Sequence, residues 1–276
     1  MGALQLAASW PVSRVAVGYT TGGGHRATHG EVDGLFELAS VTKLLTTMAV
    51  LVAVEEGTVE LDEPAGGLAG VTVRHLLAHT SGLPFEGEVP VSRPGARRVY
   101  SNTGIERVAQ HLEARSDVPF ATYLQEAVLE PLGMAATALV GSPAAEARSS
   151  LADLLALGAE LLRPTLLAPE TIAEATAVQF PGISGIVPGI GRMDPCDWGL
   201  GFELRDAKVP HWTGSSCSPA TFGHFGGAGT FLWVDPVAGV AGVGLTDRGF
   251  DQWALDLWPP LADAILAEVG GDVPLG

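Results

Sequence analysis

The sequence predicts an α+β fold in which one antiparallel sheet is assembled from both chain ends, flanked by helices, with a helical lobe inserted between. Three observations predict it. Short glycine-bounded apolar runs of strand character occur near the N-terminus and again beyond residue 198. The stretch between them carries helix-type segments punctuated by Pro131, Pro143, Pro164 and Pro181. A final segment, 252–268, has apolar residues at helical spacing. With 276 residues the chain is long enough for one sizeable core. We assign 1–276 to a single domain, with a sheet lobe at about 1–62 and 190–276 and a helical lobe at about 63–189.

Taken in order, residues 15–20 read as a strand, and Gly22, Gly23 and Gly24 turn the chain into a second strand at 27–31. Residues 40–56, SVTKLLTTMAVLVAVEE, are apolar on almost every face and close at Gly57, which predicts a buried helix. Further helices are expected at 72–79, 103–115, 119–129, 150–162 and 169–178. Strands are expected in WGLGFEL, FGHFG, GTFLWVD and VAGVGLT.

Composition excludes several function classes. Nearly half of the residues are hydrophobic (47%), which argues against disorder. A net charge of -16 would repel a nucleic-acid backbone and an anionic membrane surface, so neither is an expected partner. The two cysteines, Cys196 and Cys217, have neither zinc-site nor redox spacing and are expected to be free thiols. No basic residue precedes the short apolar run at the N-terminus, Leu6 stands where a myristoylation signal needs a hydroxyl, and no apolar run reaches the length of a membrane span. The expectation is a cytoplasmic protein acting on a small molecule.

The candidate chemistry starts with lysine usage. The chain has 15 basic residues, of which only Lys43 and Lys208 are lysine. Lysine can release its proton near neutral pH and arginine cannot. Lys43 lies three residues after Ser40 on the same helical face. A lysine in an apolar helix loses solvation and becomes a better neutral base, and a serine beside a base is an activated nucleophile. Taken alone, the pair equally fits a capping serine next to a snorkelling lysine. A second triplet, Tyr100-Ser101-Asn102, holds the single asparagine of the chain and precedes a predicted helix; alone it fits a helix cap after a surface tyrosine. A third, His224-Phe225-Gly226, precedes a glycine-rich strand, where the glycines would let a substrate lie against the strand edge. His75 and His79 have the spacing of helical zinc ligands but lack the accompanying glutamate, and the Gly-x-Ser-x-Gly elbow of α/β-hydrolases is missing. Neither a metal nor a cofactor is expected.

In this order, Ser-x-x-Lys, Tyr-x-Asn and His-x-Gly resemble the serine β-lactamase and penicillin-binding-protein superfamily, nearest to class C β-lactamases, D-alanyl-D-alanine carboxypeptidases and family VIII esterases. LASVTK, VTVRHLLAHTSGLP, EPLGM and WGLGF support the resemblance, which covers roughly 35–248. It implies a β-lactamase/transpeptidase-like fold and a set of roles. Ser40 would be the nucleophile, Lys43 the base for acylation, alone or with Tyr100, and Tyr100 the proton carrier to the leaving group, its phenol poised by the Lys43 charge. Asn102 would hold a substrate oxygen and orient Lys43. His224 and Gly226 would flank the substrate, and the N–H groups of Ser40 and Gly227 would form the oxyanion hole. The family's lysine-threonine-glycine triplet is here replaced by His224-Phe225-Gly226, a change that weakens recognition of a β-lactam carboxylate. The implied activity is hydrolysis of small esters or amides through an acyl-enzyme. The alternatives are a β-lactamase, a D-alanyl-D-alanine carboxypeptidase or D-aminopeptidase acting on cell-wall fragments, and a non-catalytic penicillin-binding sensor. Trp198, Trp212 and Trp233 fit either an apolar cleft wall or the core.

Overall fold

The computed structural model describes residues 2–271. After a 3₁₀ turn at Ala3–Ser9, β1 (Val15–Thr21) and β2 (Arg26–Gly30) form a hairpin. β3 (Phe36–Glu37) leads through a 3₁₀ turn at Ala39–Val41 into α1 (Thr42–Glu55). The middle of the chain holds α2 (Val73–Leu77), α3 (Asn102–Ser116), α4 (Phe120–Leu124), β4 (Ala138–Leu139), β5 (Ala147–Ser149), α5 (Leu151–Leu162), α6 (Pro169–Ala175), β6 (Gly185–Val187) and β7 (Gly191–Met193). β8 (Glu203–Leu204), β9 (Phe222–Gly226), β10 (Thr230–Asp235), β11 (Val240–Thr246) and α7 (Gln252–Gly271) close it.

The main sheet runs β2-β1-β11-β10-β9-β8 and is antiparallel throughout. β1 pairs with β11 from Val15 opposite Thr246 to Thr21 opposite Val240, so both chain ends build one sheet, as the strand pattern predicts. Alternate side chains of a strand face opposite sides. Ala16, Leu232, Val234, Val243 and Leu245 join the core that contains α1 and α5. Val17, Tyr19, Phe231 and Trp233 join a second core with Trp10, Trp253 and Trp258. Each such aliphatic or aromatic side chain contributes roughly 1.5–3 kcal/mol on burial. In α1 every residue except Val54 and Glu55 is buried or nearly so.

Several expectations need correction. α5 falls in the span assigned to the helical lobe, yet it packs on β1, β10 and β11. Its apolar face of Leu151, Leu154, Leu155 and Leu161 requires a cover, and Gly158 lets it come close, since a Cβ there would sit 3.0 Å from that of Ala241. Of WGLGFEL only Glu203 and Leu204 pair with β9, because Gly201 turns the chain at φ +72°. The 72–79 helix stops at Leu77, two residues before His79 adopts φ +56°. The 119–129 segment ends its α-helical part at Leu124 and finishes as a π-turn over Gln125–Leu129. α7 continues through Pro259 and Pro260 to Gly271, although prolines remove two backbone donors; buried Trp258, Leu261 and Ile265 hold it in place. Both cysteines are buried and free. Among the described residues no helix is long and apolar enough to cross a membrane.

Candidate active site

Ser40 is placed by a strained turn. The residue before it, Ala39, has φ +44°, a left-handed conformation that costs a non-glycine residue about 1–2 kcal/mol. The turn leaves Ser40 half-buried at the N-terminal end of α1, where backbone N–H groups lack helical partners. β9 is clamped against it. The Thr230 hydroxyl donates to the Leu38 carbonyl at 2.8 Å, and a Cβ at Gly226 would collide with that same carbonyl oxygen and come within 3.2 Å of Ala39 Cβ. The glycine of the third triplet therefore admits the chain's own serine turn. Gly227, one residue on, has nothing within 4 Å of its Cβ position and faces the cavity. Neither the Ser40 nor the Gly227 N–H has a hydrogen-bond partner among the described residues.

Lys43 lies one helical turn below and is fully buried. Its Nζ contacts Ser40 Oγ at 3.2 Å, Asn102 Oδ1 at 2.7 Å and the Ala144 carbonyl at 2.8 Å. The last two partners are acceptors only. They take both N–H groups of a neutral amine and leave its lone pair for the Ser40 hydroxyl. Burial pushes Lys43 down to about 7, against an opposing pull from Glu106. The Ala144 carbonyl is held by α1 itself: Thr46 donates to the Pro143 carbonyl at 2.6 Å and Thr42 Oγ1 accepts from the Ala147 N–H at 3.0 Å.

Ser101, not Asn102, caps α3, accepting the Gly104 N–H at 2.9 Å. This leaves the Asn102 amide free to face Lys43. Tyr100 is buried, with the Lys43 ammonium position 4.7 Å from its ring centre. Burial pushes the phenol pKa up, the hydrogen bond to Ser40 opposing it only in part. The expectation that Lys43 poises this phenol for ionisation is thus reversed: desolvation dominates and Tyr100 stays protonated. Its hydroxyl lies 3.3 Å from His224 Nε2. His224 Nδ1 donates to the Phe225 carbonyl at 2.7 Å, which fixes the tautomer and makes Nε2 an acceptor for the Tyr100 proton. Burial, reinforced by the Lys43 charge, lowers His224 to about 3, so the imidazole is uncharged.

Ser40, Tyr100, His224 and Gly227 line a cavity of about 190 Å³ with Trp198, Phe85, Val187, Phe225 and Phe250, whereas Lys43, Asn102 and Gly226 lie behind its wall. Of the three tryptophans, Trp198 forms part of the cleft wall, while Trp212 and Trp233 are core residues. Glu203 also borders the cavity. Its carboxylate accepts from Lys208 at 2.7 Å, His211 at 2.8 Å and Trp212 at 3.0 Å. Burial alone would raise it, but His211 and Lys208 outweigh that and bring it to about 2. Lys208, the other lysine, is thus paired and has no access to Ser40 chemistry. His75 caps α2 through Thr72, and His79 accepts the Ser101 N–H at 3.2 Å and packs in a tilted contact on Tyr100, ring centres 4.5 Å apart. No cluster of three or more metal-ligating side chains occurs among the described residues. The Ala144 carbonyl, Phe85 and Glu203 were not singled out in the sequence: a backbone acceptor leaves no side-chain signal, and Phe85 on its loop and Glu203 on β8 reach the cavity only through tertiary folding.

Residues 10–265 match the Beta-lactamase family model, and the chain belongs to that family. A crystal structure of a beta-lactamase from Mycobacterium bovis, Mb2281c, superposes with a TM-score of 0.95 at 51% identity, covering 97% of this chain and 99% of the other. The chain therefore has the β-lactamase fold. Esterase EstB of Burkholderia gladioli is 40% identical over 86 residues, 26% of this chain and 21% of EstB. The D-alanyl-D-alanine-carboxypeptidase/endopeptidase AmpH of Escherichia coli K12 is 27% identical over 149 residues, 41% of this chain and 39% of AmpH. The match spans well under half the length of these curated relatives. Family and fold define a serine hydrolase-like protein.

Proposed function

We propose that the protein hydrolyses small esters or amides through an acyl-enzyme on Ser40. The observation that carries this reading is the hydrogen-bond arrangement of Lys43, whose two obligate acceptors direct the amine lone pair to Ser40 Oγ. Neutral Lys43 takes the Ser40 proton as the Oγ–C bond forms, and the unpaired N–H groups of Ser40 and Gly227 receive the oxyanion. As the ester C–O or amide C–N bond breaks, the protonated Tyr100 hydroxyl supplies the leaving atom's proton, and the Lys43 ammonium restores it. Water then cleaves the acyl-serine, regenerating the hydroxyl. Asn102 orients Lys43 and the substrate oxygen; His224 orients the Tyr100 hydroxyl.

Recognition of a β-lactam carboxylate is weak in this reading, because His224 is uncharged and Phe225 offers no hydroxyl. Purified protein is expected to hydrolyse p-nitrophenyl butyrate faster than nitrocefin, with both activities lost in Ser40→Ala. Faster nitrocefin turnover would reverse the assignment to a β-lactamase.

A further inference from the structure

Beside the catalytic cavity lies a larger one, about 460 Å³, that shares Phe85, Tyr100 and Pro188 with it as walls. Its remaining apolar lining includes Val91, Val99 and Ile186; Phe85, Val91 and Ile186 are among the most exposed large apolar side chains of the protein. Three arginines also line it, Arg97, Arg98 and Arg192, and no acidic residue does. That is a local inversion of charge, since the chain has 31 acidic and 15 basic residues. Arg98 is buried on the carbonyls of Ala78, Gln179 and Cys196; it makes no direct ion pair among the described residues, and Asp197 acts on it only at longer range. Arg97 is exposed; it donates to the Val91 carbonyl at 3.0 Å and pairs with no carboxylate among the described residues. Arg192 is exposed and has a loose contact with Asp194 at 3.6 Å.

The position of this groove says which half of a substrate it receives. The atom that takes its proton from Tyr100 is the leaving atom, so what is attached to that atom extends past the Tyr100 wall. We infer that the groove binds the leaving-group half of the substrate, an apolar or aromatic alcohol or amine ending in an anionic group that Arg97 and Arg192 hold. The inference rests on the hydrolase reading above. The overall reaction remains balanced: the ester or amide bond breaks, water supplies the hydroxyl of the acid product, and the leaving atom departs protonated.

Three acetates that differ only beyond the phenol ring test it: 4-propylphenyl acetate, 3-(4-acetoxyphenyl)propanoate and 4-acetoxyphenethyl-trimethylammonium. In the wild type kcat/KM is expected to favour the anionic over the neutral ester by about tenfold, and the neutral over the cationic. In R97Q/R192Q the ratio falls towards one, and in R97E/R192E it inverts. Each ratio is taken within one variant, so a loss of folded protein cancels. Arg26 on β2 is the control: an equal loss of preference in R26Q would reduce the effect to general surface charge and overturn the assignment, as would a wild-type ratio near one. Calorimetric binding of 3-(4-hydroxyphenyl)propanoate and of 4-propylphenol to Ser40→Ala separates the two readings. Preferential binding of the anion without any Ser40-dependent turnover sustains the groove and sinks the hydrolase; Ser40-dependent turnover with equal binding does the reverse.

Discussion

At the scale of single residues, the chemistry turns on whether a buried amine carries a proton. Burial sets Lys43 near 7, well below the ordinary value of 10.5. In the proposed mechanism the base is the neutral form, whose population rises as pH climbs through 7. The acylation rate constant is therefore expected to increase from pH 5.5 to about 8 and then level off, as read by single-turnover kinetics with p-nitrophenyl butyrate. Lys43→Arg keeps a cation but cannot yield the lone pair, and acylation is expected to fall by roughly 10²–10⁴-fold with circular dichroism unchanged. Near wild-type acylation in this variant would leave the lysine as a structural cation. The placing of Lys43 beside Ser40 was legible in advance: a chain that uses arginine for its positive charge stands out where it uses lysine. The protonation of Tyr100 was not legible, because a phenol's solvation depends on Trp198, Phe85 and His79, which are distant in sequence and pack around its ring.

At the scale of elements, the site is a junction of three of them: the N-terminal end of α1, the start of α3 and the edge of β9. Their separate positions followed from local signals, namely the apolar run of α1, the capping residue ahead of α3 and the glycines of β9. Their convergence did not. The reason Gly226 has no side chain is a collision with Leu38 and Thr230, residues belonging to other elements. Gly226→Ala is expected to push β9 off the serine turn and displace the Gly227 N–H. Loss of one oxyanion donor costs about 2.7–4 kcal/mol, so kcat should drop by about 10²–10³-fold. A crystal structure of the variant should show β9 displaced; unchanged kcat would mean that the Gly227 N–H takes no part in turnover.

At the scale of the whole molecule, two apolar cores lie on opposite faces of one sheet, and a buried ionic cluster sits next to the cavity. The strand–helix–strand order of the sequence was enough to place the sheet, but it could not show that α5 crosses to cover it, since helical periodicity says that a face is buried and not against what. The Glu203–Lys208–His211 cluster was equally hidden. Nothing local distinguishes a buried carboxylate from a solvated one, and the pairing is completed by a loop. Glu203→Gln strips Lys208 of its counter-charge in a site closed to water. It should destabilise the fold by about 3–5 kcal/mol, lowering Tm by on the order of 10 °C in a thermal melt at pH 7. The wild type should also lose stability in acid: the carboxyl titrates near 2 when folded and near 4.5 when unfolded, so its contribution is present above 4.5 and disappears as pH falls towards 2.

The pairing of β1 with β11 has a consequence for biosynthesis. A ribosome releases Ser40 and Lys43 long before it has translated Gly227 and Val240–Thr246. During that interval β1 has no central partner and the donor that would face the serine does not yet exist. On the proposed mechanism, the Ser40 hydroxyl meets its facing N–H only when the last strands dock, a late and long-range closure that slows folding.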